Sequence, residues 1–88
     1  MSPVSTMSAG AFVLIAADSG AEKDIAAALS SIPCVKEVKL VFGFYDIIAR
    51  IEADTIDRIR DIIMHKLASL EHVRFTEIML GAQTILEN

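Results

Sequence analysis

Tryptophan is absent from this 88-residue chain, proline occurs twice and cysteine once. A single cysteine, Cys34, builds no disulfide framework, and no second Cys or His stands near it at metal-ligand spacing. Cys34 is therefore expected as a small buried hydrophobe, and neither a metal nor a cofactor is expected. Basic residues are also in short supply: eight Lys and Arg against twelve Asp and Glu leave a formal net charge of −4 and a pI of about 4.9. They are scattered along the chain and form no stripe. Because phosphate neutralisation supplies most nucleic-acid affinity, no direct binding to DNA or RNA is expected. Any genetic role would pass through a partner. Long hydrophobic runs are missing too. The longest, Ala9 to Ala17, falls far short of the roughly 20 residues that span a bilayer, and no basic stretch precedes a signal-like segment. A soluble, cytoplasmic protein without a membrane partner is expected.

Catalytic signatures are equally scarce. HExxH, GxSxG, Walker and GxGxxG motifs do not occur. His65 has one carboxylate at motif spacing, Asp61, and two residues four apart on a helix make an ordinary surface contact. The four methionines are scattered and read as gap fillers. No catalytic residue is assigned.

What the chain does have is apolar side chains in ordered patterns. Hydrophobic residues make up 53% of it and charged ones 23%, enough to build a core in one domain of this length. Residues 1–10 are small and polar and read as a flexible terminus, with Met7 an alternative start. Residues 11–80 carry the periodic patterns, and 81–88 read as a C-terminal tail whose Ile85 and Leu86 dock on a neighbour.

Ala11 to Ala17 is a continuous apolar run of strand length, as expected for a central strand buried on both faces. Ser19 and Glu22 have capping-box spacing, and Ile25, Ala28, Leu29 and Ile32 follow at helical intervals until Pro33 stops the helix. From Lys36 to Phe42 the period becomes two: Val38, Leu40 and Phe42 alternate with Glu37, Lys39 and Val41. Ile47, Ala49, Ile51 and Ala53 likewise alternate with Ile48, Arg50 and Glu52. Two such runs joined by a short Gly-containing corner predict an antiparallel hairpin. Asp54 is expected to cap a second helix with Ile56, Ile59, Ile63, Leu67 and Leu70 on its buried stripe. His72 to Leu80 completes the set as a last strand. A weak internal repeat sets Ile32-Pro33-Cys34-Val35-Lys36 against Leu70-Glu71-His72-Val73-Arg74, and Asp18 against Asp54.

Two βαβ-like halves in tandem predict an α+β, ferredoxin-like βαββαβ fold, with a four-stranded antiparallel sheet and both helices on one face. Two helices leave the other face bare. That face carries several of Val13, Ile15, Val41, Ile48, Ile78 and Leu80, or else the alternate set. Apolar area of this extent predicts a homodimer through the sheet.

Special residue types converge at one corner, Gly43-Phe44-Tyr45-Asp46. Glycine permits positive φ and lets a ligand approach backbone N–H donors, Tyr45 adds a ring and a hydroxyl, and Asp46 adds an anion. Donors beside a carboxylate suit a zwitterionic amino acid. A plain turn, with Asp46 bonded to local amides and the aromatics packed on a neighbour, is the competing reading of the same residues.

The hairpin, the helix after it and LEHVRFTEIML resemble the effector-binding (RAM) domain of the Lrp/AsnC feast/famine transcription regulators, over about residues 11 to 80. Val35, Gly43, Tyr45, Asp46, Asp54, Val73 and Thr76 carry the likeness. It implies dimers assembled into octamer-like rings, with an amino-acid-like effector held between dimers near Gly43, Tyr45, Asp46 and Thr76. The resemblance is to stand-alone members lacking a helix-turn-helix, which would associate with full-length Lrp/AsnC regulators. Where the family often has a second hydroxyl in the last strand, this chain has Ile78. Two other readings share the topology. One is a dimeric α+β barrel enzyme, a cofactor-free monooxygenase or isomerase, with His72 and Tyr45 its only polar candidates. The other is an ACT-like regulatory domain with its effector beside the helices.

Overall fold

The computed structural model describes residues 9–81, and the element order is βαββαβ. Strand β1 (Ala9–Ala17) leads into helix α1 (Glu22–Ser30), then β2 (Val35–Leu40), β3 (Ile47–Ala53), α2 (Ile56–His65), a 3₁₀ turn at Leu67–Ser69 and β4 (Val73–Leu80). The strands form one sheet in the order β2-β3-β1-β4, with every neighbouring pair antiparallel. This is the expected ferredoxin-like arrangement. The expected tail, with Ile85 and Leu86, and residues 1–8, with Met7, lie outside the described residues. Strand β1 begins at Ala9, two residues before its expected start, because Ala9 and Gly10 pair with Ala53 and Glu52.

The most apolar strands occupy the centre of the sheet. Val13, Ile15, Ile47 and Ile51 are essentially inaccessible and pack against Ile25 and Leu29 of α1 and Ile59 and Ile62 of α2. Each such side chain contributes about 1.5–3 kcal/mol of transfer free energy, so this layer dominates stability. Register settles the question of faces. Val13 pairs with Ile78, Ile15 lies on the same face of β1 as Val13, and all three pack toward the helices, so they do not belong to the bare face. That face carries Phe12, Leu14 and Ile48 with Met79, Phe75 and Glu77.

Several local expectations need correction. Ser19 does not cap α1. Gly20, at φ +86°, turns the chain, Ala21 N–H donates to the Asp18 carbonyl at 3.0 Å, and the helix begins after Ala21 with no side-chain cap. Thr55, not Asp54, caps α2, accepting from the Arg58 N–H at 3.1 Å. The buried stripe of α2 runs through Ile59 and Ile62 to Leu67, with Ile63 and Leu70 only half-buried against it. Strand β2 stops at Leu40, leaving Phe42 fully exposed.

The internal repeat is present in backbone detail. Cys34 and His72, at equivalent places in the two halves, both adopt positive φ, 76° and 68°. Their carbonyls accept equivalent bonds, from Glu52 N–H at 2.9 Å and from Asp18 N–H at 2.8 Å. One residue later but one, each strand carries a bulge, at Lys36 and at Arg74. Asp18 therefore corresponds to Glu52, and not to Asp54. Non-glycine residues in the left-handed region store strain of order 1 kcal/mol each, here offset by the carbonyl each turn delivers to the neighbouring strand. Cys34 is half-buried against the core, its thiol free.

Candidate functional site

The corner between β2 and β3 is held by the backbone before any side chain acts. Val41 N–H donates to the Asp46 carbonyl at 2.9 Å, and Asp46 N–H donates to the Ile15 carbonyl at 2.8 Å. The Asp46 carboxylate adds a third tie, its Oδ2 accepting from the Ala17 N–H at 2.8 Å. Asp46 thus clamps the corner to the end of β1, and its other oxygen accepts no hydrogen bond among the described residues. The competing reading had Asp46 bonding local amides. The amide it takes is instead 29 residues away in sequence. Gly43 stands at φ +141° with nothing within 4 Å of where a Cβ would be, so the backbone is open to approach there.

On the bare side of the sheet the corner is aromatic. Tyr45 stacks on Phe75 with ring centroids 6.0 Å apart, and Phe44 meets both rings edge-on at 5.0 and 5.8 Å. Such pairs add roughly 0.5–1.5 kcal/mol beyond area burial. The Tyr45 hydroxyl donates to Glu77. That bond, with partial burial and the nearby negative charge, raises the phenol above its ordinary range. On the helix side, Leu40, Val41 and Phe42 wall a groove of about 220 Å³ rimmed by Asp46 and by Glu22 and Lys23 from the first turn of α1. An apolar floor with one cation and two anions at its rim matches an amino acid carrying an apolar side chain.

The residues singled out from the sequence are only partly brought together. Gly43, Tyr45 and Asp46 share the corner. Thr76 is exposed on β4, paired with Ile15, which in turn pairs with Ile47, so it lies across β1 from the corner. Ile78 pairs with Val13 and packs half-buried against the core, away from the corner. Phe75 and Glu77, the partners Tyr45 finds, were not singled out. Their period-two spacing was visible, but the adjacency of β1 to both β3 and β4 was needed to bring them to Tyr45. Lys23 and Glu22 were missed because nothing local links a helix start to the end of β2.

His72 lies 3.6 Å from Asp18, with both side chains largely solvent-exposed, and His65 lies 3.6 Å from Asp61 as its spacing suggested. Among the described residues no group of three or more His, Cys, Asp and Glu could hold a metal, and no helix is long and apolar enough to cross a membrane.

Comparison with known proteins places this geometry. Residues 10–88 match the family model described as the Lrp/AsnC ligand binding domain. An uncharacterised HTH-type transcriptional regulator of Pyrococcus furiosus is 36% identical over 80 residues, covering 88% of this chain and 53% of that protein. The chain thus spans about half the length of that curated relative. Among solved structures, the Thermus thermophilus protein TTHA0845 superposes with a TM-score of 0.80 at 29% identity, covering 90% of this chain and 99% of that one. A Neisseria meningitidis transcriptional regulator, solved as its L-Met complex, superposes with a TM-score of 0.78 at 16% identity, over 99% of this chain and 60% of that one. At that identity the likeness is one of fold.

Proposed function

The chain belongs to the Lrp/AsnC ligand-binding-domain family, and on that premise we propose that it is an amino-acid-sensing, oligomerising module of transcription regulation. The family and its relatives are regulators and not enzymes, so the barrel-enzyme reading is set aside. The module acts in the cytoplasm as a homodimer that assembles further into an octamer or similar ring, and it reaches DNA through full-length Lrp/AsnC regulators. The observation that carries this reading is the corner groove: apolar Leu40, Val41 and Phe42 with Glu22 and Lys23 of the first turn of α1 and Asp46 of the corner at its rim. Lys23 and the open backbone at Gly43 take the effector's carboxylate, while Glu22 and the free oxygen of Asp46 take its ammonium. Phe42 is fully exposed and Phe44 largely so, and a second dimer laid against them closes the groove. Tyr45 lies on the opposite face of the corner, Thr76 across β1 and Ile78 against the core, so none of these three lines the groove itself. The L-Met complex of the Neisseria relative supports an effector of this class.

The mechanism is linkage. A ligand enclosed between dimers stabilises whichever assembly encloses it, by an amount set by its differential affinity. A thermal-shift screen of the twenty amino acids, read together with light scattering, tests the reading. At least one apolar amino acid is expected to raise the melting temperature and change the assembly, and a complete lack of response overturns the proposal. Because Asp46 also holds the corner to β1, Asp46→Ala confounds binding with folding. Lys23→Glu, on an exposed helical turn, is the cleaner variant and is expected to remove the ligand response while leaving the melting temperature of the free protein unchanged.

A further inference from the structure

The internal repeat makes two clefts beside the helices equivalent, and the two carry opposite charge. Each helix starts at the same distance beyond the paired residues Asp18 and Glu52. Asp24 of α1 therefore corresponds to Arg58 of α2 and Ala28 to Ile62, while in the turns Glu71 corresponds to Pro33. In the first half, Asp24, Ile25 and Ala28 wall a cleft of about 440 Å³ against Leu70, Glu71 and His72. Its counterpart in the second half, about 150 Å³, runs along α2 past Arg58, Asp61, Ile62, His65 and Lys66 and reaches Pro33. The same backbone accepts either sign of charge at this place, so packing does not require the cations of the second cleft. Arg58 and Lys66 are exposed and form no ion pair among the described residues. The one carboxylate lining the cleft, Asp61, lies 3.6 Å from His65. Two cations thus stand together without a carboxylate in a chain of net charge −4.

We propose that this cleft binds a small dicarboxylate. Arg58 and Lys66 stand at i and i+8, about 12 Å apart along the helix axis, so the two cations serve opposite ends of the cleft. Between them lie Ile62, 5% exposed, and Pro33, which give it an apolar floor. A ligand matched to this layout is anionic at both ends and apolar in the middle. The planar guanidinium of Arg58 takes one carboxylate through two parallel N–H bonds, and the Lys66 ammonium takes the other as a point charge. Arg58 also belongs to the first turn of α2, where the helix macrodipole favours an anion. A compact anion such as phosphate meets only one of the two cations at a time. The volume is below the roughly 300 Å³ at which pockets for drug-sized ligands begin, which restricts the occupant to a chain of a few carbons. The corner groove is a separate place with different chemistry, since its single cation is Lys23 and Glu22 and Asp46 share its rim. The dicarboxylate site therefore stands whether or not an amino acid binds at the corner.

Titration of the isotope-labelled protein with succinate and glutarate, followed by NMR, tests this. Saturable shifts of the Ile62 and Lys66 amides are expected at millimolar ligand. Propionate and inorganic phosphate should each bind about tenfold more weakly, because neither spans the cleft. Arg58→Gln and Lys66→Gln alter exposed side chains, and circular dichroism should show both variants folded. Each is expected to weaken dicarboxylate binding about tenfold, while Lys23→Glu at the corner groove and Asp24→Asn in the acidic cleft leave it unchanged. The proposal is overturned by the absence of saturable shifts with either dicarboxylate, by phosphate binding as tightly as glutarate, or by binding that survives in both cleft variants. Loss of the shifts in Lys23→Glu overturns it as well, by assigning the anion to the corner groove.

Discussion

The two faces of the sheet are built from the same strands by the same alternation, yet they behave as different materials. On the helix side, Val13, Ile15, Ile47 and Ile51 are at most 1% exposed, with no buried polar or charged residue among the described residues. On the other side Phe12, Leu14 and Ile48 keep part of their surface, Phe75 and Met79 are about half exposed, and carboxylates and cations line the edges. A face that excludes every charge is finished within one subunit. A face that is apolar in the middle and charged at its rim is composed like an interface, and in this chain it carries the tyrosine of the β2–β3 corner.

The sharpest break of that contrast is a cavity on the finished face. Ile47→Ala removes a fully buried side chain between sheet and helices and is expected to cost about 2–5 kcal/mol, measured by urea unfolding. A loss below about 1 kcal/mol would mean that this face is less tightly packed than it looks. The neighbouring substitution on the other face should separate folding from assembly. Ile48→Asp is expected to cost only about 1 kcal/mol of monomer stability, since the site is half-exposed in a single copy, while raising the dimer dissociation constant tenfold or more in sedimentation. The smallest effect concerns the joint between the two. The folded-state pKa of Tyr45 is raised chiefly by its bond to Glu77, so the stability tied to that bond is present below the ordinary tyrosine pKa of about 10 and is lost as pH rises through the raised value. Tyr45→Phe should flatten this alkaline loss in melting temperature and leave the neutral-pH fold intact. An unchanged alkaline limb would show that the hydroxyl does not bond Glu77 in solution.

Much of the fold was legible because periodicity is a local property. The alternation of Ile47, Ala49, Ile51 and Ala53, and the helical spacing of Ile25 and Leu29, already separate the two faces of each element, while register decides which face of the sheet the helices cover. Caps were less legible. Ser19, Asp54 and Thr55 are all competent caps, and choosing among them depends on a turn geometry that Gly20 sets in one case and the end of β3 sets in the other. Of the site, the corner itself was legible in Gly43, Tyr45 and Asp46, whereas Ile78 followed its core partner Val13 and left the corner. The left-handed conformation at Cys34 and His72 had no composition signal, since neither is glycine; only the repeat around them pointed to a shared backbone role.

The amino-acid sequence alone determined the order of elements, the hairpin, the separation of apolar from charged positions along each strand and the corner as the place of unusual chemistry. These depend on neighbours two to four residues apart, and any chain with this pattern must bury the same stripes. Tertiary structure decided the rest: that Asp46 spends one oxygen on Ala17, that Tyr45 rests on Phe75 and bonds Glu77, and that Lys23 shares a groove with Phe42. Those contacts join residues some 20 to 30 positions apart, and they exist only because strand order lays β1 between β3 and β4 and crossover sets α1 beside the end of β2.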